Sequence, residues 1–166
     1  KGNLSESPAI VLGGRDWHPG VLGIVASRIA RSYHRPTIIV GFDDAGLGKG
    51  SGRSIPGLSL VSVLGRCGNL LEKFGGHEMA AGLTIRKENL PVFATAFQEN
   101  CRASLSAEQL EPCLYLDDEL TLRELTWDLL RWHEMLQPFG QGNPQPLFLL
   151  RRVEPIAPPK ILKEKH

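Results

Sequence analysis

Three glycine-rich stretches carry the side chains best suited to hold an anion. The first is Trp17-His18-Pro19-Gly20-Val21, which leads directly into a helical pattern. A helix start with glycine and histidine offers free N–H groups and the positive end of the dipole, so His18 is a candidate phosphate contact; the alternative is a plain loop–helix junction. Arg28 lies seven residues after Val21, at the edge of the apolar stripe. It is either laid along apolar surface or aimed at a phosphate, and both readings stay open. The second stretch is Gly48-Lys49-Gly50-Ser51-Gly52-Arg53-Ser54. It is superficially like a phosphate-binding P-loop, but Asp43 stands where the first glycine is needed, and Gly50 follows Lys49 in place of Ser or Thr. Nucleoside triphosphate hydrolysis is therefore rejected. Small residues still let a backbone approach a ligand closely, and Ser51, Arg53 and Ser54 supply donors, Arg53 in a fork that fits phosphate. A tight turn with solvated side chains is the competing reading. The third stretch, Phe74-Gly75-Gly76-His77-Glu78-Met79-Ala80-Ala81-Gly82, sets the N–H groups of Gly75 and Gly76 beside an imidazole. That combination suits a phosphoryl oxygen, with His77 as hydrogen-bond donor or cation.

No metal site is legible. None of His18, His34, His77, His133 and His166 has a carboxylate or histidine at ligand spacing on a shared helix. His77 and Glu78 are adjacent, so on a strand they would face opposite sides. There is no G-x-S-x-G and no Cys–His arrangement for nucleophilic catalysis. Metal-dependent hydrolysis would need ions held by another domain. Cys67, Cys101 and Cys113 have neither metal-ligand nor disulfide-framework spacing, and read as small hydrophobes in a reducing cytoplasm.

The elements that must position these residues alternate between strand and helix. Residues 8–13 read as a buried strand ending at Gly13-Gly14. Residues 21–33 read as a helix with Val21, Leu22, Val25, Ala26, Ile29 and Tyr33 on one side, Pro19 just before it and Pro36 marking its end. Residues 37–42 are β-branched and read as a central strand, with a turn at 43–46 and a glycine-rich strand candidate at 47–54. One or two short helices lie within 58–74, and a strand at 80–85 follows a glycine loop. Residues 91–105 form an amphipathic helix through Phe93, Phe97, Cys101 and Leu105. Residues 113–116 are a short strand candidate. Thr121 and Glu124 form a capping box opening a helix with Leu122, Leu125, Leu129, Trp132 and Leu136 along its seam, which Pro138 stops. A last strand within 145–153 follows the turn at 140–144 and has no partner after it. This pattern predicts an α/β layer architecture.

Composition fits a soluble globular protein: 42% hydrophobic and 22% charged residues are enough for a core and too little charge for disorder. No apolar run approaches the roughly 20 residues of a membrane span, and Lys1 to Ser7 is too polar for a signal peptide. The start without Met and the Lys/Pro-rich end read as boundaries inside a longer protein. Residues 1–60 carry seven Lys/Arg against four Asp/Glu, residues 107–137 two against eight, and residues 138–166 five against two. A polyanion would favour the flanks and avoid the middle.

Taken together, WHPGVLGIVASRIA, GKGSGRSIPGLSL, LLEKFGGHEMAAGLTI and PFGQGNPQPLFLLRRV resemble, in order, the C-terminal half of the RecJ family. These are bacterial single-strand-specific exonucleases of the DHH phosphoesterase superfamily. The resemblance covers about residues 9–154. It implies a DHH-associated domain over 1–106, a mixed sheet flanked by helices. A helical connector would follow over 107–143, then the start of an incomplete OB-fold over 144–166. It implies hydrolysis of phosphodiester bonds in single-stranded DNA, 5′ to 3′, in DNA repair and recombination, with single-strand-binding and repair proteins as candidate partners. It also implies Mn²⁺ or Mg²⁺ held by a DHH domain that this sequence lacks, so the fragment alone should be inactive. His77 would then lie nearest the scissile phosphate as the catalytic candidate. Arg53 would sit on that phosphate or a neighbour. Ser51, Ser54, Gly75 and Gly76 would line the substrate site, and Arg28 and His18 would be outer phosphate contacts. Two alternatives remain: another DHH phosphoesterase acting on short RNA or cyclic dinucleotides, and a non-catalytic nucleic-acid or protein-binding module.

Overall fold

The computed structural model of the chain describes residues 7–158. It divides into two compact units between Pro112 and Cys113. In the first unit, five strands form one mixed sheet: β1 (Ile10–Arg15), β2 (Thr37–Phe42), β3 (Leu47–Arg53), β4 (Lys73–Gly76) and β5 (Ala80–Arg86). Their order is β1-β2-β3-β5-β4. β1 runs parallel to β2, and the remaining neighbours are antiparallel. The helices are α1 (Pro19–Tyr33), α2 (Leu60–Arg66) and α3 (Leu90–Ser104).

Alternate residues of β2 sort the two faces of the sheet. Ile38, Val40 and Phe42 join Leu60, Val63, Leu64, Phe93 and Phe97 in the larger core, under α2 and α3. Ile39 joins Leu22 and Ala26 of α1 in a smaller one. Every residue of β2 is buried, as a strand covered on both sides must be. The expected α/β architecture with a mixed, helix-flanked sheet is what the chain adopts.

The glycine-rich segment is the middle strand of this sheet, and its glycines serve the larger core. A Cβ on Gly48 would stand 2.5 Å from the Phe42 ring and 2.6 Å from Val40, one on Gly50 2.8 Å from Leu83, and one on Gly52 2.6 Å from Ile38 and 2.8 Å from Leu60. Large side chains from β2, β5 and α2 therefore meet over a strand that contributes none of its own on that side.

Several sequence expectations shift. β1 continues through Gly13 and Gly14 to Arg15, because the absent Cβ atoms make room for Leu90 and Phe42 on one face and the Trp17 ring on the other. The buried stripe of α1 is Leu22, Ala26 and Ala30, while Val21, Val25 and Tyr33 are exposed. The alanines let the helix lie close to the sheet, and a single close contact line buries only a narrow stripe. The helix closes before Pro36, with His34 left-handed (φ 48°) and its N–H donated to the Ala30 carbonyl. The glycine loop at 75–76 is in fact part of edge strand β4.

In the second unit, β6 (Asp118–Leu120) pairs in parallel with β7 (Phe148–Leu150), so the partner of the last strand precedes it in sequence. The strand expected at 113–116 does not form; the pairing lies further on. The Glu124 carboxylate accepts from both the N–H and the hydroxyl of Thr121 at 2.8 Å, which holds its pKa below the usual value. That pair closes a turn only. Helix α4 (Trp127–Met135) starts later, capped by Thr126, whose Oγ1 accepts from the Leu129 N–H at 3.2 Å. Leu122, Leu125, Trp132 and Leu136 of the expected seam are exposed. Among the described residues, no helix is long and apolar enough to cross a membrane.

Cys67 and Cys101 sit in the larger core, and Cys113 is exposed. Burial pushes the Cys101 thiol up to about 12 and raises that of Cys67. Thiolate is the reactive form, so both should be inert near neutral pH. Iodoacetamide treatment followed by mass spectrometry is expected to label Cys113 alone in the native protein and all three cysteines in denaturant. Native labelling of Cys101 at a rate matching Cys113 would contradict this core.

Candidate nucleic-acid interface

Because the even-numbered residues of β3 face the larger core, Lys49, Ser51 and Arg53 point to the α1 side. Helix α1 passes directly over two of them: a Cβ on Gly23 would stand 3.0 Å from Arg53 Nη2 and 3.2 Å from Ser51 Oγ. Arg53 Nη1 donates to Ser51 Oγ at 3.2 Å and to the Gly52 carbonyl at 2.8 Å. Among the described residues no carboxylate lies within 4.0 Å of this half-buried guanidinium, and its Nε and Nη2 have no hydrogen-bond partner.

Beyond α1 the same face runs on over β5 and β4. Register pairs Arg53 with Ala80, Ser51 with Gly82, and Gly82 with Gly75. A Cβ on Gly75 would meet nothing within 4 Å, and one on Gly82 only the Gly50 carbonyl oxygen at 3.8 Å. Protein packing does not require glycine at either position. The pair leaves a bare backbone floor beside Ser51 and Arg53, on which a ligand can approach the sheet.

Gly76 has a different role. Its φ of 147° suits glycine, and a Cβ there would stand 2.5 Å from the Ala80 carbonyl oxygen and the Ala81 Cα. It forms the tight β4–β5 hairpin that carries His77. That hairpin is fastened by backbone bonds: His77 N–H to Ala80 O at 2.8 Å, Ser54 N–H to Met79 O at 2.9 Å, and Leu60 N–H to Glu78 O at 2.8 Å. His77 is therefore exposed on a fixed turn, at the end of the sheet where Arg53 pairs with Ala80.

One expected contact is spent inside the protein and another is partly engaged there. Ser54 is buried and donates its hydroxyl to the Leu58 carbonyl at 2.7 Å, because it begins the turn into α2. His18 caps its own helix: its Nδ1 accepts from the Gly20 N–H at 3.1 Å, and its carbonyl accepts from Val21. An accepting Nδ1 puts the ring proton on Nε2. The backbone donors at this helix start are thus occupied, while the exposed His18 ring keeps its Nε2–H without a partner among the described residues. The preceding Trp17 anchors the turn by lying against Gly14 and Gly41. Arg28 is exposed in a shallow cavity of about 340 Å³ with Ile24, Ser27, Arg31 and Ser32, and has no acidic partner among the described residues. Arg31 also borders a neighbouring cavity of about 390 Å³ that Arg53 lines.

The structure thus gathers Ser51, Arg53 and Gly75, with the His77 turn at their end and Arg28 further along α1. Sequence reading missed Lys49, Lys73 and Gly82, which share the same face. Strict alternation of Lys49, Ser51 and Arg53 was the available signal. Among the described residues, no three His, Cys, Asp or Glu side chains cluster so as to hold a metal ion. These residues do not fit a catalytic metal site.

The DHHA1 domain family model matches residues 6–103, and the RecJ OB domain model matches residues 116–166. The single-stranded-DNA-specific exonuclease RecJ of Bacillus subtilis is 38% identical over 146 residues, covering 87% of this chain and 19% of that protein. RecJ of Haemophilus influenzae is 43% identical over 137 residues, covering 80% of this chain and 24% of that protein. The crystal structure of RecJ in complex with Mn²⁺ from Thermus thermophilus superposes with a TM-score of 0.75 at 37% identity, over 87% of this chain and 21% of that one. The chain therefore spans about a fifth to a quarter of the length of these relatives.

The two neighbouring glycines give opposite expectations for stability. Gly76→Ala should cost roughly 1–3 kcal/mol through backbone strain and the clash with β5, while Gly75→Ala should stay within about 0.5 kcal/mol. Urea denaturation of both variants measures this. A Gly75 variant as damaged as the Gly76 variant would mean that the floor is not open.

Proposed function

The chain belongs to the DHHA1 domain family, and on that premise we propose that it is the substrate-gripping part of a single-strand-specific exonuclease similar to RecJ. In this reading, residues 1–106 hold single-stranded DNA while metal ions and their ligands are supplied by another part of the whole enzyme. Residues 107–143 connect to OB-like β structure from 144 onward. The match over 116–166 and the β6–β7 pairing favour grouping most of the connector with the OB-like part. The reading carries with it a cytoplasmic place in DNA repair and recombination, and partners among single-strand-binding and repair proteins.

One observation supports it above the rest: a half-buried arginine without a carboxylate partner among the described residues, next to a sheet floor that two glycines leave bare for no packing reason. A cation held this way by neutral groups suits an anion, and a flat floor suits an extended backbone of repeating phosphates better than a compact metabolite. In this reading the Arg53 fork and the Ser51 hydroxyl engage phosphate oxygens. Arg28 extends the positive surface along α1. His77, exposed on its fastened hairpin, meets the phosphate at which charge develops during hydrolysis, and stabilises it by donating a hydrogen bond.

Binding of this chain to labelled oligo(dT) should be weak and should fall with salt, log K dropping by about 0.7 per phosphate contact for each tenfold rise in salt. Arg53→Ala should lower affinity and flatten that slope; an unchanged slope would remove Arg53 from the contact set. In the full-length enzyme, His77→Ala is expected to cut turnover by at least about tenfold while substrate affinity changes little, the signature of an interaction made in the transition state. Steady-state kinetics beside equilibrium binding decide it. Unaltered kcat would end that role for His77.

A further inference from the structure

Lys49 and Lys73 are not used by the reading above, and the sheet brings them together. Both pair in register with Thr84, Lys49 from β3 and Lys73 from β4, so the three residues form one row on the α1-side face. Strands lie roughly 4.8 Å apart, which puts the two lysine backbones about 10 Å apart with the threonine between them. The row borders an open cavity of about 340 Å³ that also includes Gly75 and Gly82. Both lysines are exposed and have no carboxylate within 4.0 Å among the described residues. The nearby Glu72 is already engaged by Arg86 at 2.8 Å. The Thr84 hydroxyl has no hydrogen-bond partner among the described residues. Two like charges thus flank a free hydroxyl at the edge of a bare floor, an arrangement that an anion between them relieves.

We propose that Lys49, Thr84 and Lys73 form a second phosphate subsite, for a phosphate further along the same nucleic-acid strand than the one on Arg53. This rests on the reading of the face as a nucleic-acid grip, and adds to it a direction and a minimum length. Arg53 and Lys49 are four residues apart on one strand, a separation of about 13 Å at the usual rise per residue. A single phosphate cannot bridge that distance. The backbone of the substrate therefore runs along β3, over Gly82 and Gly75, and the ligand has to carry at least two phosphates. Lys73 has a rival explanation, since a lysine on an edge strand discourages pairing with another sheet. That role makes no demand on Lys49 or on nucleic-acid affinity.

The test is fluorescence anisotropy with labelled dT12 over a salt series, on this chain and three variants. Lys49→Gln/Lys73→Gln removes the subsite. Lys87→Gln/Arg102→Gln removes the same charge from positions outside the face. Arg53→Ala removes the first contact. Thermal melting followed by circular dichroism confirms that each variant is folded. Loss of the subsite is expected to weaken binding about five- to tenfold and to lower the salt slope by about 0.7, with the charge-matched control within about twofold of wild type. Equal losses in subsite and control variants would reduce the lysines to general charge and overturn the proposal. Unchanged binding in the subsite variant, with binding still lost in Arg53→Ala, would overturn the subsite and leave the grip standing. Indifference of both, or no binding by the wild type at low salt, would overturn the grip and the subsite with it.

Discussion

The first unit depends on one packing constraint: every second residue of its middle strand has to lack a side chain. Gly48, Gly50 and Gly52 give up their share of the core so that Phe42, Val40, Ile38, Leu83 and Leu60 can close over the strand. Strand periodicity then decides what the other face must be. Lys49, Ser51 and Arg53 alternate with the glycines and are all directed to the side that α1 only partly covers. Core packing and the polar row are therefore two consequences of one alternation. A substitution that added a side chain at 48, 50 or 52 would disturb both, since the strand would have to move away from its neighbours.

The same constraint explains what the sequence revealed and what it hid. The long amphipathic helix through Phe93, Phe97 and Cys101 was legible because its period is strong, and β2 because β-branched residues fill it. The glycine-rich segment reads from sequence as a strand candidate whose glycines admit a ligand, whereas in the structure they serve the core. The glycines that do leave open surface are Gly75 and Gly82, and only cross-strand register shows that they are neighbours. Ser54 reads as a donor for a ligand because sequence cannot show a hydroxyl already given to Leu58, nor can it show that the His18 Nδ1 caps Gly20. The Thr121–Glu124 pair formed the expected contact and still opened no helix. A local hydrogen-bond motif fixes one turn; a helix also needs the residues after it to find packing.

Helix α1 acts on this face as a roof. Trp17 lies against Gly14 and Gly41, and His18 uses its own side chain to satisfy the Gly20 N–H, so the start of the helix is set against the sheet. From there Gly23 passes close over Ser51 and Arg53, and Ala26 and Ala30 keep the helix near the strands. A bulkier residue at 23 would press on the guanidinium. The helix thus fixes how much of Arg53 stays open, while its outer surface carries Arg28 and Arg31.

The three backbone bonds around the 77–79 turn have a consequence for energetics. Ser54 and Leu60 belong to the segment that enters the larger core, and their N–H groups hold the carbonyls of Met79 and Glu78. The His77 backbone is therefore ordered before anything binds. Immobilising a rotamer-rich side chain or a loop on association typically costs free energy that must be recovered from contacts. Here the turn's share of that ordering is already met during folding, by the same hydrogen bonds that complete the core. For the contact proposed for His77, only the rotation of the imidazole about its own side-chain bonds would be left to fix.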